Sequence, residues 1–416
     1  SVSNTWEIVM SNQCRMRISS ALLAAGLVLA CHHGVAGGKA YVGNFKDDTV
    51  SVIDTTRAQV VATLPVASGP HGMAAAPDGR RIYVSGDNSS HVSVIDTAAD
   101  RVVQTIEVGR SPHGLALTPD GITLLVAVNG EDQVVFIDPA TQRAVGSVSV
   151  AKPHTIAVRP DGVLAYVASQ DPRGFAIVVV DLVTRKVVRT IALDKPPRDL
   201  EFAYDGKALY FTEAGVNAVQ VLDPASDRIG AQIPTGASPH YANFFRRTKF
   251  GLVVVQGTNE LLLFDPATKQ PVRTISVGRQ PHWVAVSSDG KTAYVPNEGS
   301  NDVSIVDLAS GQASTVAVGN APRKIVVQDS SSGAAVSIAN FVFSPAVVTV
   351  AAGERVLWSN DDGAPHGISF RDGSAGAQSL LPGQSFEKRF DQPGSYEYSC
   401  SFHSYMTGRV EVVSAK

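Results

Sequence analysis

Three residues of one short loop could together hold a soft metal ion. They are Cys400, His403 and Met406, spaced C-x2-H-x2-M within YEYSCSFHSYMTGRV (Tyr396–Val410). Soft sulfur ligands select copper. A thiolate, an imidazole and a thioether, joined by one further imidazole, form the ligand set of a blue-copper electron-transfer centre. His366, in DDGAPHGISF, is an upstream imidazole available to complete it.

Cysteine usage sharpens that reading. The chain has 3 Cys, and Cys14 and Cys31 lie in or beside an N-terminal segment of a different kind. Met16-Arg17 precedes an apolar run, Ala21–Ala30, and then small residues over Gly34–Gly38. A short basic region, an apolar core and a small-residue exit describe a bacterial export signal, too short to serve as a membrane span. Residues 1–37 therefore read as export signal and upstream extension, with cleavage after Ala36 or before Cys31, the latter leaving a lipid anchor at Cys31. The mature chain is expected in the periplasm without a transmembrane span. Cys400 is then the one cysteine of the folded body, and exported proteins seldom keep a thiol that has no use.

A second group of residues recurs through the chain. Pro70-His71, Pro112-His113, Pro153-His154, Pro197-Arg198, Pro239-His240, Pro281-His282 and Pro322-Arg323 follow one another at 41 to 44 residues. The strand ends Ile53-Asp54, Ile95-Asp96, Ile137-Asp138, Val180-Asp181, Leu222-Asp223, Phe264-Asp265 and Val306-Asp307 keep the same period. Four short strands per unit of about 42 residues are the signature of a β-propeller blade. The repeats open with a strand triplet, Tyr41–Val66, and close with a lone innermost strand, Lys324–Val327. The two ends match only if the last strand completes the first blade, which removes exposed sheet edges.

The sequence thus predicts an all-β chain: a seven-bladed propeller over 38–329, a small polar linker at 330–334, and a β-sandwich over 335–416. Composition agrees. Charged residues are only 18%, Gly number 36 and Pro 23, so turns are plentiful and strong helix formers few. The net charge of −3 excludes the basic excess of a nucleic-acid binder. No Ser-His-Asp set, phosphate loop or CxxC pair is present, and the PDG tripeptides read as turns.

Innermost strands line a propeller's channel, so one basic or imidazole side chain per blade is expected to face it. His71, His113, His154, His240 and His282 are candidates for a second metal or catalytic site, with copper the metal that fits best. Arg198 and Arg323 are candidates for holding an anionic ligand. Asp87, Glu213 and Glu298, at the ends of second strands, could add acid–base chemistry. A purely structural alternative is that P-H-G is a favoured turn copied by duplication. The arginines in both non-histidine blades are not easily explained that way.

The recurrent YV-x-N/S…VSVID…PDG pattern resembles the YVTN family of bacterial propellers over all seven units. The last 80 or so residues resemble the cupredoxins, most of all the amicyanins, in VLWSN before Pro365-His366, in PGSYEYSC and in the His403/Met406 loop closed by Gly408. That resemblance implies His366, Cys400 and His403 as equatorial copper ligands and Met406 as the weak axial one. Phe402 and Ser404 stand where amicyanin-like loops tend to carry prolines. The overall plan is similar to that of the nitrous oxide reductases. Their two-cysteine copper centre and larger histidine set are missing here, so nitrous oxide reduction is not expected.

Two functions follow from the sequence. In one, the copper relays electrons between an external carrier, a cytochrome c or another copper protein, and a small anionic substrate at the His/Arg ring, making a copper-dependent oxidoreductase. In the other, the chain is a non-catalytic electron carrier whose propeller is a docking platform. A head-to-tail homodimer could bring one chain's Cys400 loop over another's ring.

Overall fold

The computed structural model describes residues 38–245, 247–328, 335–339 and 341–414. The export segment with Cys31 and the linker expected at 330–334 lie outside the described residues. Seven four-stranded antiparallel sheets form the blades of a propeller. Its first blade is closed as the sequence predicts: Pro322–Gln328 pairs antiparallel with Lys39–Asn44, from Lys39 opposite Gln328 to Asn44 opposite Pro322.

The strand sequences explain the layering. Second and third strands such as Lys39–Asn44 and Thr49–Asp54 are buried nearly throughout, because both faces of each blade pack on neighbouring blades. Outer strands such as Gln59–Pro65 are mostly exposed. The apolar core therefore lies between blades: Tyr83, Val92 and Val94 of one blade pack with Leu124, Val126 and Val128 of the next.

The repeated aspartates turn out to be turn builders. Asp54, Asp96, Asp138, Asp223 and Asp265 each accept the backbone N–H two residues on, at 2.7–3.0 Å. The aspartate of each PDG does the same, as in Arg80 N–H to Asp78 at 2.9 Å and Ile122 N–H to Asp120 at 3.0 Å. The glycine that follows adopts the left-handed conformation, with φ of +69° at Gly79 and +71° at Gly121, a region that favours glycine.

The C-terminal residues form two facing sheets. One contains Ala335–Ala339, Val342–Ser344, Arg355–Asn360 and Ser385–Arg389; the other contains Val347–Ala351, His366–Phe370, Ala377–Leu380, Gly394–Ser399 and Thr407–Val413. Trp358, fully buried, fills the space between them with Phe370, Phe390 and Tyr398. Gly408 is obligatory, since a Cβ there would lie 2.3 Å from the Tyr398 ring.

Two propeller loops touch this sandwich. Arg247 donates to the hydroxyls of Ser359 and Ser385, and Arg80 lies 3.7 Å from Glu354. Both arginines follow an innermost strand, at the end opposite to the one bearing the Pro-His dipeptides. Among the described residues, no helix is long and apolar enough to cross a membrane.

Candidate metal centre

Cys400 follows the strand Gly394–Ser399, Met406 precedes Thr407–Val413, and His366 opens His366–Phe370. Adjacent pairing of these strands brings the three together. The loop between Cys400 and Met406 is tight: Cys400 N–H donates to the Met406 carbonyl at 3.0 Å, and Met406 N–H to the His403 carbonyl at 2.9 Å. That closure turns the His403 ring back toward the sulfur.

Cys400 Sγ lies 3.6 Å from His366 Nδ1 and 3.6 Å from His403 Nδ1. All three potential ligand atoms fall within 4.8 Å of one another, and this is the one such group of His, Cys, Asp or Glu among the described residues. Cys400 and Met406 are 3% and 2% exposed, and His366 is fully buried. Two nitrogens and a thiol facing a common point fit a soft metal ion in trigonal arrangement, and Met406 is buried in the same cluster.

The sequence reading missed the residues that hold this arrangement. Asp362 Oδ2 sits 2.8 Å from His366 Nε2. A proton on Nε2 directed at that carboxylate leaves Nδ1 as a lone pair toward the sulfur, the outer-shell pattern that orients metal-binding histidines. The buried Asn360 holds the loop, donating to the Ala364 carbonyl at 2.8 Å and the Leu380 carbonyl at 2.7 Å and accepting from Asp362 N–H. Gly367 N–H donates to Cys400 Sγ at 3.4 Å, and a Cβ on it would meet Ser401 Oγ at 2.6 Å. Phe341 sets its ring edge-on against His403, centroids 4.9 Å apart. Asp362 four residues before His366 was a visible signal; Phe341 lies far upstream and carried none.

The propeller histidines do converge. Ring centroids are 3.8 Å apart for His71–His113, 3.8 Å for His113–His154 and 3.9 Å for His240–His282, with His71 and His282 at 5.5 Å. They pack into the channel rather than standing around an open mouth, His113 and His282 being 8% and 5% exposed. His113 Nδ1 is 3.0 Å from the His154 carbonyl, and His154 Nδ1 is 2.9 Å from that of Arg198. Each therefore donates Nδ1–H to the next blade and keeps Nε2 as a lone pair. The close approach explains the glycine of P-H-G, since a Cβ on Gly72 would lie 2.2 Å from the His113 carbonyl.

Burial first, then neighbouring imidazoles and Arg323, drives the pKa of His71 and His282 well below the ordinary value. Burial does the same for His113 and takes His154 down to about 4. These four imidazoles are therefore neutral at pH 7. Among the described residues, no three of its ligand atoms lie within 4.8 Å of one another.

The flanking charges divide. Arg323 pairs with Glu298 at 3.0 Å and lies over the Phe45 ring, while Arg198 donates to Ser238 Oγ at 2.9 Å. Glu298 Oε2 also comes within 4.0 Å of His282 Nε2, so this carboxylate joins the ring. Asp87 is pushed up by burial, partly offset by Arg323. Glu213 instead accepts from Gln220 at 3.1 Å. Asp199, missed in the sequence, places Oδ2 3.3 Å from His240 Nδ1, close enough for an ion pair but out of line for a hydrogen bond, leaving that nitrogen unpartnered.

Comparison with known proteins places these parts. The YNCE-like beta-propeller family matches over residues 30–116 and 114–368, and the copper-binding plastocyanin/azurin family over 331–413. Amicyanin-alpha of Methylorubrum extorquens is 33% identical over 92 residues, 21% of this chain and 77% of that protein. Plastocyanin of Scenedesmus fuscus is 40% identical over 73 residues, 15% of this chain and 74% of that protein. Among solved structures, hydrazine synthase of Kuenenia stuttgartiensis shares the propeller fold with a TM-score of 0.60 at 22% identity, covering 66% of this chain and 94% of that one. The chain therefore belongs to the YNCE-like β-propeller family and ends in a copper-binding domain of the plastocyanin/azurin family.

Proposed function

We propose that the chain is an exported, periplasmic electron-transfer protein. Its copper would be held by Cys400, His366 and His403, with Met406 as a weak fourth ligand. The observation that carries this is the convergence of two histidine Nδ1 atoms on the Cys400 sulfur, each at 3.6 Å, in a buried site. A plastocyanin/azurin-type domain supports copper binding and electron transfer. Copper in such a site exchanges one electron between two oxidation states. The chain's own part is to keep the donors fixed. Asp362 orients His366, the short loop fixes His403, and the sandwich excludes water from the thiolate. The natural partner is a redox protein, a cytochrome c or another copper protein.

A second reading adds a metal or catalytic site at the propeller ring, where a small anionic substrate would meet His71, His113, His154, His240 and His282. It is favoured by neutral imidazoles that retain Nε2 lone pairs at His113 and His154. Against it stand the spread of the ring's donor atoms and the neutralisation of Arg323 by Glu298. The sandwich touches loops at the opposite end of the innermost strands. A relay to the ring is therefore more easily built between two chains, head to tail, than within one.

Copper content and absorption of the mature protein test both. One copper per chain with an intense blue band, both lost in Cys400→Ala, supports the carrier whose propeller is a docking platform. A second copper that survives Cys400→Ala and is lost in His113→Ala supports the relay. A wild type that binds no copper overturns both.

A further inference from the structure

The propeller channel is lopsided. Counted from the proline of each blade's Pro-His or Pro-Arg dipeptide, the third residues are Gly72, Gly114, Thr155, Asp199, Tyr241, Trp283 and Lys324; the fifth are Ala74, Ala116, Ala157, Glu201, Asn243, Ala285 and Val326. Three consecutive blades thus give small side chains to the channel, and the blades beyond them give charged and aromatic ones. The space left is a cavity of about 400 Å³ in the half of the channel away from the histidine ring. Ala74, Ala116 and Ala157 line one wall, and Glu201, Trp283 and Lys324 are on the other.

Two opposite charges share this cavity without meeting. Lys324 Nζ lies 3.8 Å from the centroid of the Trp283 ring, whose plane is stacked on Tyr241 at 3.5 Å. Among the described residues no carboxylate comes within ion-pair distance of Lys324, and no basic group within that distance of Glu201. Glu201 Oε1 accepts only the neighbouring Phe202 N–H, at 3.2 Å. Both groups bear the cost of burial: it pushes the Glu201 carboxyl up to about 7 and the Lys324 ammonium down. Opposite charges lining one cavity normally pair. A cavity that keeps them apart is shaped for something that spans them.

We propose that this cavity binds a small zwitterion of the α-amino acid class, its carboxylate on Lys324, its ammonium on Glu201 and a compact apolar side chain against Ala74, Ala116 and Ala157. Asp199, which does not line the cavity but whose charge also acts on Lys324, is directed at His240. This leaves Glu201 as the partner for the ligand's ammonium. The site is separate from the Cys400 centre and from the ring, and is independent of whether the chain carries copper.

Calorimetric titration of the purified mature protein with three probes of one hydrocarbon body tests it: L-leucine, 4-methylpentanoate and isopentylamine. The expected result is L-leucine bound at least tenfold more tightly than either singly charged analogue. Lys324→Met and Glu201→Gln should each remove that preference. Ala116→Phe, which fills the cavity and leaves both charges in place, should remove binding while the fold, read by circular dichroism, is retained. Equal affinity for the three probes, tighter binding of either analogue, or no heat from any of them at 10 mM, a concentration of about ten times a millimolar Kd, would overturn the proposal.

Discussion

Histidines gather twice in this molecule, and the two gatherings differ in what their nitrogens face. In the sandwich, two Nδ1 atoms aim at one sulfur. In the propeller, the Nδ1 atoms of His113 and His154 are spent on backbone carbonyls of the next blade. The first arrangement gathers two nitrogens around the Cys400 sulfur. The second strings them around a channel, neighbouring rings tilted against or edge-on to one another. What separates them is the source of the geometry. A short loop between two strands can turn residues three apart toward each other. A repeat copies one position round a circle, so its side chains meet as neighbours and not at a centre.

The strongest test of that contrast is Cys400→Ala. Removing the thiolate takes away the point on which both imidazoles converge, so the visible absorption should vanish entirely and the tightly held copper with it. Replacing His113 in the ring should leave the band at full intensity. A band that survives Cys400→Ala, or that dims when His113 is changed, would erase the distinction between the sites.

Acid should separate them next. His71, His113, His154 and His282 have folded pKa values below the unfolded one, so the unfolded state binds more protons as pH falls. Propeller stability should therefore be full above the ordinary histidine value of about 6.5 and decline below it, levelling as pH passes the folded values, which is about 4 for His154. Each such imidazole costs at most about 1.4 kcal/mol per pH unit, so four together cap the loss at about 5 kcal/mol by one unit below 6.5. Chemical denaturation of metal-free protein at pH 7.0 and 5.5 measures it. A propeller equally stable at both would mean that the ring is wet and protonated, contrary to its burial.

How much of this was legible in the sequence follows the same division. The blade count, the closing strand and the all-β plan could be read because a repeat states its pattern seven times. The Cys400 loop could be read because its ligand types sit within one turn of chain. What was hidden depended on contacts across distance. Phe341 reaches His403 from 62 residues upstream. Asp199, Glu201, Trp283 and Lys324 gain meaning only once the innermost strands are set side by side. The ring was visible as a position, but the direction of each nitrogen was not, because it is fixed by carbonyls of the next blade.

Asp362→Asn probes the orientation of His366 without removing any of the candidate copper ligands. An amide in place of the carboxylate at 2.8 Å from Nε2 still fills the space but no longer accepts as a charged partner. Outer-shell changes of this kind typically cost about 10–100-fold in metal affinity. Competition against a copper chelator reads that loss, and the blue band should persist at saturating metal. Unchanged affinity would mean that loop packing through Asn360 alone holds His366.

The smallest effect belongs to Arg247, which joins the two regions being compared. Its guanidinium donates to Ser359 and Ser385 of the sandwich from an exposed loop at the propeller end away from the ring. Hydrogen bonds of this kind contribute about 0.5–1.5 kcal/mol net each, too little to hold the sandwich on the propeller alone. In Arg247→Ala the melting of both parts should stay within a degree or two, and the blue band should be unaltered. The rotational correlation time of the sandwich, read by spin relaxation, should shorten as it spends more time off the propeller face. A shortening would place the copper-binding domain on a hinge able to present Cys400 to another molecule, the arrangement a relay between chains requires. If the sandwich still tumbles with the propeller, its docking rests on Arg80 and Glu354 or on packing, and a chain-to-chain relay must then proceed with the domain held where it is.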